Sequence, residues 1–526
     1  MSKSTFLKGA IWLTIATFLS KLLGSAFRIP LQNIAGDEVL GIFSVVYPVY
    51  MTILIITVAG IPLAISKLIS TARAEGRTDD IYFIYRTSTI LGIFTGLLSF
   101  ILMFVFAEKV AGQLGGSLVT YSVIVVSFTL IFAPYMAVFR GFFQGFDDMI
   151  PTAISQVLEQ FVRVIIILAA AVYLTNQAYS TDIVAGGVMI GSVVGVIISL
   201  IYLRIIFAKR KLLAQRPRYN LQQFKVWTKR ILIVSLPICF GALTMALLNV
   251  VDSLTVPRQL AAIGNTEQEL TALYGIYGRG QALVQIAVVF ASALILPLIP
   301  AITKALAERK PEQAATIIDK ATTFTHITSW PVAIGLAVVT LPVNYVLFGD
   351  TLGSDVIFIL SLSALFTSFS VLTTGVLQGA NRERAAAIVV LVFSIVKVVL
   401  NIILVGQYGI MGAAVSTLIT YILITIANMV VLNQTIPFGW VKRAHFVFAG
   451  SSLVMGSVLV LIQWLFGTEG WSRGLTSIYL TFLIGVGAII YGGLIILLKG
   501  IDRDMLQSLP FVSKFIKPVN KPERMS

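Results

Sequence analysis

Apolar stretches of about twenty residues, separated by short polar segments, recur from one end of the chain to the other. Fourteen can be bounded, at residues 6–27, 39–66, 87–106, 118–138, 152–174, 183–206, 231–251, 273–302, 324–348, 356–377, 385–405, 412–432, 446–466 and 476–498. At ~1.5 Å of rise per residue, such stretches match the ~30 Å hydrocarbon core of a bilayer as helices. None shows the strict polar–apolar alternation of a barrel strand. A backbone in lipid must satisfy its own hydrogen bonds, so the pattern predicts an all-α polytopic membrane protein with 14 transmembrane helices.

The polar segments carry an independent signal. With the N-terminus inside, the inside segments hold 29 of the 38 Lys and Arg residues and the outside segments hold 4, namely Arg28, Lys109, Arg258 and Arg473. Cytoplasmic loops are enriched in Lys and Arg, so this split predicts a cell-membrane protein with both termini cytoplasmic. The start, MSKSTFLKGAIWL, has the cations of a signal peptide at Lys3 and Lys8. Its apolar run continues towards Phe27 without a cleavage-like site, so it reads as a retained first span.

The pattern is also duplicated. The motif from Arg140, RGFFQGFDDMIPTAISQVLEQFVRV, returns from Thr374 as TGVLQGANRERAAAIVVLVFSIVKV, at a shift of 234 positions. Gly41-Ile42-Phe43 matches Gly275-Ile276-Tyr277 at the same shift, and Ala64–Lys67 matches Ala301–Lys304 at 237. Spans one to six and seven to twelve are therefore expected to be two copies of one six-helix lobe. An even number of spans per copy makes them parallel repeats about an axis along the membrane normal. The expected organisation is an N-terminal lobe at 1–206, a basic cytoplasmic linker at 207–230, and a C-terminal lobe at 231–432. Two added helices follow at 433–498, and a basic cytoplasmic tail at 499–526.

Composition narrows the function classes. The chain is 57% hydrophobic and 12% charged, with one cysteine, Cys239, and two histidines, His326 and His445, far apart in sequence. Neither a disulfide framework nor a thiol metal site can be built from one cysteine. The net charge of +15 is explained by the loop bias, so no nucleic-acid partner is expected. The Walker signature G-x-x-x-x-G-K-[ST] is absent, which leaves an ion gradient or the membrane potential as the energy source. No cofactor is expected beyond a possible coupling ion of unknown identity, and no catalytic residue is identified, so the chain does not read as an enzyme.

Ionisable residues inside the spans mark candidate function, because an unpaired charge in hydrocarbon is costly. In span one, Lys21, Gly24, Ser25 and Arg28 share one helix face. Lys21 lies deep, and Arg28 reads either as a cleft cation or as an interfacial arginine. Span five carries Gln156, Glu159, Gln160 and Arg163, and Glu159 and Arg163 are four apart and can pair. The repeat places Lys397 at the depth of Arg163, but Phe393 stands where Glu159 would be. Lys397 then needs an acid from another helix, a water-filled cavity or an anionic substrate, and the cavity is the favoured expectation. In YGIYGRGQALVQ, Arg279 sits between Gly278 and Gly280. That arrangement suits phosphate, and small residues also serve close helix packing. Asp252 is expected near the outer end of span seven, where a contact with Arg28 would close a gate. The expected substrate-binding cations are thus Lys21, Arg28, Arg163, Arg279 and Lys397, with Glu159 and Asp252 in gating or coupling. A net-positive cleft favours an anionic substrate.

These residues resemble a known group. LSKLLGSAFRIP in span one, AGIPLAISKLI at the end of span two and RGFFQGFDDMIPTAISQVLEQFVRV are similar to the multidrug/oligosaccharidyl-lipid/polysaccharide flippase superfamily. The nearest branch is that of stage V sporulation protein B and the MurJ-type lipid II flippases. The resemblance implies a V-shaped pair of lobes that flips an undecaprenyl-pyrophosphate-linked glycan from inner to outer leaflet. It also implies a lipid-tail groove at spans thirteen and fourteen, and pyrophosphate contacts from basic residues in spans one, two and eight. Lys21 and Arg28 fit span one and Arg279 fits span eight. Span two departs, since 45–61 holds no basic residue, which leaves lipid II and other lipid-linked glycans open. The implied partners are a lipid-linked anionic glycan, membrane lipids and cell-wall synthesis proteins. The alternatives are a cation-coupled multidrug exporter of the same superfamily and a non-transport membrane scaffold.

Overall fold

A computed structural model describes residues 3–500, except 59, 211, 214–216, 435, 437–438, 440–441 and 468–469. The expected basic tail lies outside the described residues from 501 onward, as does part of the linker.

The first lobe comprises α1 (Lys3–Ala26), α2 (Arg28–Val58), α3 (Gly60–Ala74), α4 (Thr78–Val105), the short α5 (Ala107–Leu114), α6 (Thr120–Gly145), α7 (Ile150–Asn176) and α8 (Thr181–Arg210). The second comprises α9 (Leu221–Ala262), α10 (Glu267–Ala307), α11 (Pro311–Val338), α12 (Thr340–Phe348), α13 (Ser354–Gly379), α14 (Glu383–Tyr408) and α15 (Ile410–Asn433). Two further helices, α16 (Arg443–Leu465) and α17 (Arg473–Leu497), pack on each other and on α11 and α12. Among the described residues, ten helical stretches are long and apolar enough to cross a membrane, or eleven with the α11–α12 pair, which is bent by 77°. The first runs 63 residues from Trp12 to Ala74. As one helix it would be ~95 Å long, so it holds two passages. With α9 and α10, of 42 and 41 residues, the set is compatible with the fourteen expected.

Local sequence explains the irregular points. Span two is carried by α2 and α3, and Pro62 has no N–H to give the Val58 carbonyl, which its ring crowds. Within α2, Gly36 adopts φ 79°, ψ 178°, a conformation open to glycine, and the helix restarts at Asp37. The start of α10 carries a capping box in which Thr266 and Glu269 satisfy each other's backbone N–H. The duplicated motif folds alike in both copies. Asp147 and Asn381, 234 positions apart, both take positive φ, 62° and 56°, in the turn after the glutamine-glycine pair. Asp and Asn tolerate that region better than other non-glycine residues. The preceding carbonyl is bound in both copies, that of Gly145 by Arg73 Nη1 at 2.9 Å and that of Gly379 by Thr303 Oγ1 at 2.9 Å.

The two lobes meet along α2, which runs beside α9 and α10, while α1 packs on α7 and α10. Their closest approach is a pair of repeat-related glycines. A Cβ on Gly41 would lie 1.8 Å from the Thr271 carbonyl oxygen, and one on Gly275 would lie 2.0 Å from that of Asp37. This seam is at the end of the molecule away from the linker, called here the far end. At the linker end, Gly60 packs on the Ser235 backbone. Outward faces carry exposed apolar side chains such as Ile395, Trp464 and Ile489, as a multi-pass membrane protein requires. The two histidines, distant in sequence, stack with ring centroids 3.9 Å apart and tie α11 to α16.

Candidate functional site

Between the lobes lies a cavity of about 610 Å³, walled by α1, α2, α6 and α7 on one side and α9, α10, α13, α14 and α15 on the other. Lys21, Glu159, Asp252 and Lys397 line it, as does Arg140. Arg28, Arg163 and Arg279 are not among its lining residues, which corrects the expectation that all five cations share one surface.

The charges fall into separate groups. In the first lobe, Glu159 is held from both sides, by Arg140 Nη2 at 2.8 Å and by Arg163 Nη2 at 2.8 Å. Arg140 also donates to Ser155 at 3.0 Å, and Arg163 to the Tyr47 hydroxyl at 3.3 Å. Arg163 is 2% exposed and stands behind Glu159, so it anchors the carboxylate rather than meeting a ligand. This triad carries one surplus positive charge. In the second lobe, Lys397 Nζ donates to Asp252 at 2.7 Å and to Thr417 at 3.1 Å. Asp252 also accepts from the Tyr277 hydroxyl at 2.9 Å and the Asn401 amide at 3.0 Å. Both ions of this neutral pair are 1% exposed at their side chains. The favoured expectation for Lys397, a cavity without an acid, is thus replaced by an acid from another helix. The repeat kept the cation at one depth, while its partner moved from the same helix to α9.

Asp252 is committed to Lys397, so the expected Arg28–Asp252 gate is not formed. It sits within α9, which runs on to Ala262. Arg28 is 3% exposed, 5.8 Å from the Phe43 ring, with Nε and Nη1 unpartnered among the described residues. Lys21 is exposed on α1 and faces the cavity.

Arg279 closes the far-end seam instead. Its side chain is fully buried, with Nε 2.6 Å from Asp37 of the first lobe and a second bond from Nη2 to the same carboxylate. On the second lobe it reaches Asp350 at 2.7 and 3.0 Å and Asn344 at 3.2 Å. Such a forked guanidinium grips each of two carboxylates through a pair of N–H groups, which the point charge of a lysine does not. Asp350 lies in the loop after α12. Burial raises its carboxyl, but the hydrogen bonds from Arg279 and the Leu352 N–H outweigh this and hold it below the ordinary carboxylate range. Nearby, Ser117 Oγ of the first lobe donates to Glu267 of the second at 2.8 Å.

Sequence reasoning missed Arg140, Asp37 and Asp350. Arg140 falls just after the apolar run that ends at 138, but α6 continues to Gly145 and lifts it to the cavity wall. Its place at the head of the duplicated motif was the available signal. Asp37 and Asp350 look like loop acids in sequence, and only the seam makes them partners. Among the described residues no group of three or more His, Cys, Asp and Glu is arranged to hold a metal ion. The arrangement offers a polar, charged surface for a ligand between the two lobes.

Comparison with known proteins agrees with this architecture. Residues 6–306 match the family described as polysaccharide biosynthesis protein. An uncharacterized membrane protein of Bacillus subtilis, YabM, is 30% identical over 521 residues, covering 98% of this chain and 97% of that protein. The lipid II flippase MurJ of the same organism is 27% identical over 491 residues, covering 88% and 89%. In fold, the chain is similar to a solved structure of lipid II flippase MurJ in an inward closed conformation, with a TM-score of 0.69 at 14% identity, covering 92% of this chain and 98% of that one. The chain belongs to the polysaccharide biosynthesis protein family, within the multidrug/oligosaccharidyl-lipid/polysaccharide flippase superfamily.

Proposed function

We propose that this protein is a flippase that carries an anionic, lipid-linked cell-wall glycan precursor, lipid II or a related undecaprenyl-pyrophosphate-linked oligosaccharide, from the inner to the outer leaflet. The observation that carries the reading is the charge of the cavity. Lys21, Arg140 and Lys397 line it against Glu159 and Asp252, and Arg163 adds a further cation behind Glu159, so basic residues outnumber acidic ones at the cavity. A net-positive lining between two lobes complements a pyrophosphate and opposes a cationic drug. The relatedness to a lipid II flippase over most of the chain supports the same substrate class.

In this reading the linker end faces the cytoplasm, where the basic loops lie, and both termini are cytoplasmic. The far-end seam is the outer gate, closed by Arg279. The headgroup enters from the linker side, and rocking of the lobes about the cavity then exposes it outside. An apolar groove between α16 and α17, lined by Phe446, Val447, Val454 and Leu494 with Arg443 at its edge, is suited to the polyprenyl tail. An ion gradient or the membrane potential drives the cycle, since the sequence offers no nucleotide motif.

The test is outer-leaflet lipid II in bacteria depleted of their own flippase and given this chain. Wild type is expected to restore it. Lys21→Ala is expected to lower the rate roughly tenfold, as loss of one charged hydrogen bond implies. Wild-type protein that reaches the membrane yet restores no lipid-linked glycan to the outer leaflet would refute the reading.

A further inference from the structure

The charges account for a pyrophosphate and say nothing of the sugar attached to it. Four glutamines supply what the charges lack. Gln156 and Gln160 line the cavity from α7 in the first lobe, and Gln281 and Gln285 line it from α10 in the second. A spacing of four puts each pair on one helix face, so the cavity has an amide ladder on either wall.

Helix α1 runs between the two ladders and touches both. Thr17 Oγ1 lies 3.2 Å from Gln156 Oε1, and Ser25 Oγ lies 3.2 Å from Gln285 Oε1. Each hydroxyl also faces the carbonyl four residues back, Leu13 at 2.8 Å and Lys21 at 3.0 Å. A hydroxyl has one proton and cannot serve two acceptors, so each of these amides keeps an unfilled hydrogen-bonding position. The other two are less satisfied. Gln160 Oε1 is shielded from solvent without a partner among the described residues, and Gln281 makes no hydrogen bond with them. Of the four, only Gln160 Oε1 is withdrawn from solvent, where an unbonded polar atom is costly, and the other amides are half-buried and open to the cavity. Four amides on two facing walls therefore suit a ligand rich in uncharged donors and acceptors.

We propose that these two glutamine pairs read the sugar of the headgroup, with Lys21 and Arg140 holding its phosphates. The inference rests on the flippase reading above and deepens it. An amide offers two N–H donors and one carbonyl acceptor, which match neighbouring hydroxyls and N-acyl groups. Being neutral, it does not compete with the cations for the pyrophosphate. Because one ladder belongs to each lobe, a sugar bonded to both ladders bridges the lobes, whereas a bare lipid phosphate held by Lys21 and Arg140 touches only the first.

The experiment uses the full chain in lipid nanodiscs and two probes, undecaprenyl pyrophosphate and the same lipid carrying an N-acetylated disaccharide. Wild type is expected to bind the sugar-bearing lipid more tightly. The double variant Gln160→Leu/Gln281→Leu is expected to lose about 30-fold of that preference, the worth of two ordinary hydrogen bonds. Its affinity for the bare pyrophosphate is expected to stay within about twofold, which also shows that the variant is folded. A preference that survives in the variant overturns the inference. So does a wild type that binds both lipids alike, or a variant whose affinity for both falls together. A wild type that binds neither lipid overturns the flippase reading itself, and the inference with it.

Discussion

Arg279 is the side chain whose removal should move the lobes apart. It is fully buried and ties Asp37 of the first lobe to Asp350 and Asn344 of the second. Arg279→Met keeps most of the bulk and removes the fork. Of the Arg279 bonds only those to Asp37 cross the lobes, so only they enter the balance of open and closed far ends. A charge-assisted hydrogen bond contributes about 1.5–3 kcal/mol. The Asp37 side chain is 17% exposed, so solvent screens part of this, and about 2 kcal/mol is a fair figure for the bidentate contact. At about 1.4 kcal/mol per tenfold, the ratio of open to closed far ends should rise roughly 30-fold. The assay is labelling of a cavity cysteine, Met51→Cys in a Cys239→Ser background, by a membrane-impermeant thiol reagent added outside cells. The labelling rate follows the fraction of time the far end is open. It should rise roughly 30-fold in Arg279→Met, and Asp37→Asn should add little to it, because the two residues act as one contact. A rate within threefold of the parent, or single effects that multiply in the double variant, would refute the gate.

The buried pair in the second lobe gives a stability test. Lys397→Met leaves Asp252 charged and 1% exposed, which should cost about 3–5 kcal/mol, while Lys397→Met/Asp252→Asn should recover most of it. Thermal unfolding in detergent measures both, and a double variant no better than the single would count against the pair. Gly41→Ala places a Cβ 1.8 Å from the Thr271 carbonyl. Backbone cannot swing aside as a side chain can, so the lobes should part at a cost of about 1–3 kcal/mol, and outside labelling at residue 51 should speed up; an unchanged rate would show that the glycine seam does not close the gate. Asp350 gives a pH test. Its carboxyl is held low in the folded state by Arg279. Its stabilisation of the second lobe is therefore fully present above the ordinary carboxylate value of about 3.9 and is lost as pH falls through the lower folded value. Thermal stability in detergent should carry no Asp350 contribution to its pH dependence from neutral pH down to about 5, and should lose it only below about 4. That acid loss should be smaller in Asp350→Asn, and an equal loss in the variant would contradict the assignment.

The helices and the repeat were legible in the chain because both are local or periodic. A run of about twenty apolar residues must become a helix in lipid, wherever it later packs. The repeat returns the same motif 234 positions on, and its turn takes a left-handed residue in both copies, Asp147 and Asn381. The Glu159–Arg163 pair was readable for the same reason, since four residues make one helical turn. The site was legible only as a set of charges. Lys397 finds Asp252 145 residues away, and Arg279 finds Asp37 242 residues away. No spacing rule spans such distances, because the partners are brought together by how α9, α10 and α2 pack. Arg140 looked like a loop cation because hydrophobicity marks where lipid ends, and α6 runs beyond that point into a polar cavity. The stacking of His326 on His445 is another product of packing alone. Sequence periodicity thus set which segments cross the membrane and which ionisable side chains they carry. Which of those charges cancel, which bolt the lobes together and which remain for a ligand was settled by side chains meeting across helix interfaces, where desolvation forces each buried ion to find a partner.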